Sequence, residues 1–217
     1  MSVNSRNSPP VEGLAIASSS SFAVFLDVAV KEVDGEGEGE FLGRIEIVLF
    51  ADSTPLAAEN FRVLCTGENK VLKPSGKPFH YKGTEFFAIE PGYHVSGGNF
   101  RELDDDFSDC SIYGGKRFPN EHLRNKPKLG SVMATGIVGP PNLELGEPYT
   151  ILNGADFAIC TTEEARRLDI WHEFYVVFGE VTSGMEVVKK MEPYGSSITA
   201  RTSKSVYVVD CGQFDSD

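Results

Sequence analysis

The sequence predicts a mainly β domain, a closed antiparallel barrel of about eight strands capped by two α-helices. Short apolar and β-branched segments are separated by turn residues and do not alternate with helices, which is typical of an antiparallel sheet. Two other segments carry the apolar spacing and the end signals of helices. Closing the short strands into a barrel removes exposed sheet edges, and the helices would then plug the open ends.

The 217 residues are enough for one domain with a well-buried core. Residues 1–21 are rich in Ser, Asn and Pro, have no apolar period, and lack the basic start and apolar block of a secretion signal. We therefore expect a disordered tail over residues 1–21 and a single domain over residues 22–217.

The domain opens with a predicted hairpin. The strand "FAVFLDVAV" (22–30) is followed by the charged, glycine-rich connection "DGEGEGE" (34–40) and by the strand "FLGRIEIVLF" (41–50). The first helix follows, with Thr54 as N-cap, Pro55 at its first position and an end at Gly67. One face of this helix is apolar and is formed by Ala57, Phe61 and Leu64.

Downstream, the chain alternates between short buried strands and turns. A second helix is predicted in "SGMEVVKKM" (183–191), where Ser183 and Glu186 fit a capping box and Pro193 ends the run. The predicted strands are "GTEFFAIEP" (83–91), "GSVMATG" (130–136), "ADFAICTT" (155–162), "FYVVFGEV" (174–181) and "SKSVYVVDCG" (203–212).

Composition restricts the partners. With 20 basic and 32 acidic side chains the net charge is -12, which repels phosphate backbones, so we expect no nucleic-acid partner. No window approaches the roughly 20 consecutive apolar residues of a membrane span. We therefore expect a cytoplasmic monomer without a membrane partner; the nucleus stays open as a location.

No metal or other cofactor is expected. The four cysteines have no CxxC spacing, which favours reduced, buried thiols over a zinc site. His94 has no second ligand at a metal-binding spacing. The acidic run "ELDDDFSD" (102–109) lacks the spaced ligands and the turn glycine of a calcium loop. The cysteines are Cys65, Cys110, Cys160 and Cys211.

Several segments resemble those of the cyclophilin family in order and spacing, from about Phe22 to Phe214. They are "GRIEIVLFAD", "PLAAENFRVLCTGE", "YKGT", "GGNF", "SIYGGKRF", "VVFGEVTSGMEVVKKME" and "TSKSVYVVDCGQ". The resemblance implies an eight-stranded barrel with two helices, in agreement with the pattern above. It also implies cis/trans isomerisation of the peptide bond that precedes proline.

That reaction has a barrier of about 18–20 kcal/mol because the amide loses resonance as it twists. Cyclophilins are understood to stabilise the twisted form with an arginine that donates to the proline nitrogen, beside an apolar pocket for the ring. In "FFAIEPGYHVSGG" (86–98), Phe87 and Ala88 stand where the family has its histidine and this arginine. The donor is therefore missing, and the two residues either fill the old groove or line a new pocket.

The other groove positions implied by the resemblance have also changed. The first pocket phenylalanine becomes Tyr93, a mild change, whereas the second becomes Ala158 and the pocket tryptophan becomes Arg167. Trp171 and His172 belong to an expanded loop that the resemblance does not place. The groove residues, of which only Leu168 is kept, are Phe87, Ala88, Tyr93, His94, Ser96, Thr135, Asp156, Ala158, Arg167, Leu168 and Tyr175.

Two expanded connections accompany these changes. Residues 137–152 lie between segments that line the groove, and they either cover it or reshape it. Residues 69–80 resemble the divergent loop of a subset of cyclophilins. Members of that subset have cysteines at matching places that can pair under oxidation, which makes Cys65 and Cys211 a candidate redox pair; lasting free thiols are the alternative.

The leading hypothesis is a cyclophilin-fold binding or scaffold protein with weak or no isomerase activity. Its partner would be a proline-containing peptide or a protein surface, and loss of the pocket aromatics predicts weak or no cyclosporin binding. The alternative is an active, divergent prolyl isomerase that assists protein folding. A redox-sensitive interaction module is the third hypothesis.

Overall fold

The fold is taken from a computed structural model, which describes residues 22–68, 79–98, 100, 111–121, 124–139, 141 and 149–215. The predicted tail, the acidic run 102–109 and Cys110 lie outside these residues, as do most of the 69–80 connection and the centre of the 137–152 connection.

The described residues form eleven strands and three α-helices. In chain order these are β1 Phe22–Lys31, β2 Glu40–Leu49, α1 Pro55–Thr66, β3 Ala88–Glu90, β4 His94–Gly97, β5 Phe118–Pro119, β6 Ser131–Ala134, β7 Ile137–Gly139, β8 Thr150–Asn153, β9 Phe157–Cys160, α2 Ala165–Phe174, β10 Val176–Ser183, α3 Met185–Met191 and β11 Ser205–Gln213. A 3₁₀ turn, Glu192–Tyr194, follows α3.

Eight of the strands form one antiparallel sheet in the order β11-β1-β2-β10-β6-β9-β4-β3. The sheet curls until its ends meet, because the segment before β3 bonds to β11. The N–H of Phe86 donates to the carbonyl of Val206 (2.8 Å), and that of Val208 donates to the carbonyl of Thr84 (2.9 Å). The predicted eight-stranded barrel is confirmed. The hydrogen-bonded contact that closes it is shorter than the pairing between two full strands.

The core fills the barrel interior, as the apolar alternation requires. In β1, Val24, Leu26 and Val28 are fully buried. Helix α1 packs against the barrel through Phe61, whose ring centroid lies 5.1 Å from that of Tyr81 and 5.0 Å from that of Phe157.

The predicted ends of α1 are confirmed. Pro55 begins the helix after the N-cap Thr54, and Gly67 ends it in the left-handed region with φ of 72°. The hydroxyl of Thr54 donates to the carbonyl of Phe50 and does not cap the helix. The capping group comes from a distant residue, Glu121, whose carboxylate accepts the N–H groups of residues 56 and 57 at 2.9 and 2.8 Å.

The predicted capping box at the start of α3 is wrong. Ser183 is the last residue of β10, where it pairs with Glu46, and this pairing keeps it in the strand. Gly184 is the N-cap, with φ of 93°, and α3 has no side-chain cap. A side chain at position 184 would collide with the carbonyl of Arg44, which explains why glycine occupies this position.

The prediction of two helices was also incomplete, because α2 lies where we expected an expanded loop. A second small sheet, in the order β5-β8-β7, contains both described ends of the 137–152 connection. No helix in the described part of the chain is long and apolar enough to cross a bilayer.

Candidate functional site

The predicted groove residues lie mainly on the outer face of the barrel sheet. Ala88 is opposite Ser96 across β3 and β4, Ser96 is opposite Ala158 on β9, and Ala158 is opposite Met133 on β6. The residues between them along each strand, such as Ile89 and Ile159, point into the barrel core. Both faces of β9 are therefore covered, which explains its continuous apolar sequence.

A second apolar cluster covers this outer face. It is centred on Trp171 of α2, which is 4% exposed. We call the residues around the indole ring the outer pocket. Its buried lining is Met133, Ala158, Cys160 and Val177, and its half-buried rim is Phe50, Tyr93, Leu168 and Tyr175.

Tyr93 connects the sheet to α2. Its ring stacks on the indole of Trp171, with centroids 4.5 Å apart and an interplanar angle of 22°. The guanidinium carbon of Arg167 lies 4.4 Å from the centroid of the same tyrosine ring. Arg167 and Trp171 are four residues apart and so share one side of α2. The ring of Tyr93 is thus already engaged by two residues of the same chain.

Arg167 is held by two carboxylates. Its Nε lies 2.8 Å from Glu164 and its Nη1 lies 3.5 Å from Glu90 on β3. The side chain is 38% exposed, so these pairs contribute little to stability, on the order of 0–1 kcal/mol. Their main effect is to orient an arginine at the rim of the outer pocket.

The remaining predicted residues on this face are polar or titratable. The hydroxyl of Ser96 lies 3.0 Å from Nδ1 of His94, and Ser96 itself is buried. Burial lowers the pKa of His94, and the nearby carboxylate of Glu90 opposes this shift. Burial, with a smaller contribution from Tyr93, raises the pKa of Tyr175.

Phe87 and Ala88 lie at the β3 edge of the site. Ala88 is half-buried in the row formed with Ser96, and Phe87 is 39% exposed immediately before the strand. The methyl group of Ala88 cannot donate a hydrogen bond, so β3 presents no donating side chain at this position.

Thr135 and Asp156 are not brought into the outer pocket. They lie beyond the ends of β6 and β9, where the N–H of Thr135 donates to the carbonyl of Asp156 at 3.3 Å. Beside them begins the β7–β8 hairpin, which carries the exposed side chains of Ile137 and Val138.

The candidate redox pair lies elsewhere, in the barrel core. Cys65 and Cys211 are both buried free thiols. The Nε2 atom of His80 lies 3.0 Å from the carbonyl oxygen of Cys65 and 3.3 Å from the sulfur of Cys211, so one ring nitrogen contacts both residues. Burial is the main cause that raises the pKa of both thiols, well above its ordinary value for Cys65 and to about 12 for Cys211.

An open groove of about 530 Å³ lies near the 3₁₀ turn, and none of the predicted site residues lines it. Pro91, Glu192, Ser196 and Ile198 are among its walls. Within the described ranges, no three His, Cys, Asp or Glu side chains come together in a way that could hold a metal ion.

Sequence reasoning missed Trp171 as a member of the site. Leu168, Trp171 and Tyr175 are spaced i, i+3 and i+7, a pattern that predicts an apolar helix face. The signal was present, but the helix lacks a side-chain cap and its other residues are mostly polar.

Comparison with protein-family models agrees with the architecture. Residues 32–213 match the model described as "Cyclophilin type peptidyl-prolyl cis-trans isomerase/CLD". This match begins directly after β1 and ends with β11, so it contains the other ten strands and all three helices. The chain therefore belongs to the family of cyclophilin-type peptidyl-prolyl cis-trans isomerases.

Proposed function

We propose that this protein is a cyclophilin-fold binding module with weak or no isomerase activity, which recognises a proline-containing peptide or a protein surface. The observation that carries the proposal is the state of the outer pocket. Alanine occupies the position of the catalytic arginine, and a tryptophan of the same chain fills the space beside Tyr93.

The missing donor alone accounts for a large loss of rate. Removing one preorganised donor to a transition state typically costs about 2.7–4 kcal/mol, or roughly 10² to 10³ in rate. Ala88 cannot replace that donor, and neither can the exposed phenyl ring of Phe87. Catalysis of Xaa-Pro exchange would therefore be weaker by about that factor than in a family member that has the arginine.

The filled pocket adds a second obstacle, because a proline ring would have to displace Trp171. Replacing a buried Phe or Trp by Ala typically costs about 3–5 kcal/mol, which gives the scale of the interactions that a substrate must replace. Trp171 is 4% exposed and stacks on Tyr93, so its displacement gives up both burial and stacking.

Exposed apolar residues near the site support a binding role. Phe87 lies at the β3 edge, and Ile137 and Val138 lie on the edge strand of the small sheet, where they are 46% and 67% exposed. Such residues contribute to affinity when a partner covers them. The lost pocket aromatics at Ala158 and Arg167 also support weak or no cyclosporin binding.

Arg167 favours the alternative, an active divergent isomerase. It is an arginine within 4.4 Å of the Tyr93 ring centroid, close to where a bound proline would lie in the family. If the carboxylates of Glu90 and Glu164 released it, its guanidinium would be a hydrogen-bond donor at the pocket rim. In that case the activity would depend on Arg167.

The test is NMR exchange spectroscopy on a panel of Xaa-Pro peptides, which detects slow turnover and weak binding together. We expect chemical-shift changes without protein-driven exchange. Exchange cross-peaks that require the wild-type protein, and that disappear in Arg167→Ala, would replace the proposal with the alternative.

A matched set of variants separates the two obstacles. Phe87→His, Ala88→Arg and Ser96→Gln together restore the family residues, and we expect them to remain inactive while Trp171 fills the pocket. Adding Trp171→Ala to this set should produce exchange. Full activity in the triple variant, with Trp171 unchanged, would show that the indole does not obstruct the proline ring.

A further inference from the structure

The indole of Trp171 occupies space that two other changes in the site leave open. The resemblance places a phenylalanine at position 158 and a tryptophan at position 167, whereas this chain has Ala158 and Arg167. Ala158 and Trp171 belong to the same cluster, and Arg167 is one turn before Trp171 on α2. Trp171 thus supplies aromatic volume that positions 158 and 167 lack.

Trp171 is also the main attachment of its helix. Of the α2 side chains that the structure describes, it is the one that is buried, whereas Ile170 and Phe174 are exposed. The N-terminus of α2 has no side-chain cap, and a helix of 10 residues is marginal by itself in water. Docking of the indole and folding of α2 are therefore coupled.

The lining of the outer pocket suits a flat apolar ring. Met133, Ala158, Cys160 and Val177 supply methyl, methylene and sulfur surface, and Tyr93 supplies a stacking face. The sulfur of Cys160 contacts the carbonyl of Thr162 at 3.4 Å, and burial raises the pKa of this thiol to about 11, so it is neutral near pH 7.

We infer that Trp171 is the specificity-determining residue of this site, an internal ligand that excludes proline from the outer pocket. When the indole is removed, the pocket takes an external flat aromatic ring of similar size. The inference rests on the proposed function in one respect, since it treats the pocket beside Tyr93 as the place where a ring would bind.

Indole titration of Trp171→Ala tests the inference directly. Indole at about tenfold excess over its dissociation constant should raise the thermal midpoint of this variant by about 3–6 °C. Ile170→Ala is the matched control, because it shortens an exposed side chain on the same helix. The control and the wild type should show no saturable shift. A folded Trp171→Ala protein that indole does not stabilise would overturn the inference.

A second measurement needs no variant, so it holds even if Trp171→Ala folds poorly. The methyl group of Met133 lies in the outer pocket and reports its occupancy by NMR. Indole or an acetylated Ala-Pro amide should leave this methyl signal of the wild-type protein unshifted. A saturable shift in the wild type would show that rings enter beside Trp171 and would contradict the inference.

These outcomes are separable from those of the proposed function. If indole does not bind, Ala88 still stands at the proposed arginine position, and the proposed weak or absent activity is unaffected. Wild-type catalysis of Xaa-Pro exchange would overturn the proposed function, whereas binding of indole by Trp171→Ala would still support an aromatic pocket beneath α2.

Discussion

The indole of Trp171 stacks on the phenol ring of Tyr93, with ring centroids 4.5 Å apart. This pair joins α2 to the residue that precedes β4 in the barrel sheet. Tyr93 directly precedes β4, whereas Trp171 lies 78 residues later in the chain, in α2. The two meet only because α2 folds back over the sheet.

The Tyr93–Trp171 pair should be energetically coupled. We expect a double-mutant cycle with Tyr93→Leu and Trp171→Leu to give a favourable interaction of about 0.5–1.5 kcal/mol, the usual value for aromatic pairs beyond their burial. Urea unfolding of the four proteins measures it. Tyr93→Leu combined with Ile170→Ala provides the control and should be additive; an interaction near zero for the aromatic pair would contradict the stacking.

His94 should make the protein less stable in mild acid. Burial lowers its native pKa below the unfolded value, which is about 6.5. The unfolded state therefore binds more protons between these two pKa values. The contribution of neutral His94 to the free energy of unfolding is fully present above the unfolded pKa. It is lost as the pH falls through the native pKa.

The measurement is the free energy of unfolding in urea between about pH 7.5 and pH 5, for the wild type and His94→Gln. The wild type should lose more stability than the variant, because all other titrating groups are shared. Parallel curves for the two proteins would show that His94 does not contribute.

Glu121 should stabilise α1 from outside the helix. Its carboxylate accepts the N–H groups of Leu56 and Ala57, so Glu121→Ala removes an N-terminal cap and a favourable charge at the helix dipole. We expect a loss of about 1–2 kcal/mol in the free energy of unfolding.

The control is Glu186→Ala in α3. Glu186 is the residue that the sequence assigned to a capping box, but α3 has no side-chain cap. Its removal should therefore cost clearly less than that of Glu121. Equal losses of stability in the two variants would contradict the stabilisation of α1 by the Glu121 contacts.

The thiols of Cys65 and Cys211 should react slowly at neutral pH. Their raised pKa values leave little thiolate, which is the reactive form. If the two cysteines form the proposed redox pair, oxidation should produce one intramolecular disulfide, faster at about pH 9 than at pH 7.

Differential alkylation and mass spectrometry follow this reaction. Both cysteines should become accessible to alkylation only after reduction, and Cys211→Ser should abolish the change. If the thiols stay free under prolonged oxidation at the higher pH, the redox-pair hypothesis is wrong. Cys65 and Cys211 would then be buried core residues only.

Sequence signals correctly predicted the elements whose formation depends on residues close together in the chain. The apolar alternation of β1 and β2 and the Pro55 and Gly67 boundaries of α1 follow from backbone chemistry within a few residues. The capping box at Ser183 failed for the opposite reason, because pairing with β2 holds that residue in a strand. Helix α2 was missed since its apolar face has few members and its stability comes from docking on the sheet.

By itself, the sequence determined the family and the barrel and placed an alanine at position 88, since each is read from residue identity and order along the chain. Only the tertiary structure decided what covers the outer face of the sheet. Strand register aligns Ala88, Ser96, Ala158 and Met133 on one outer face, and α2 then brings Trp171 onto that face. Packing between residues far apart in the chain depends on that register and docking, which local propensity does not encode.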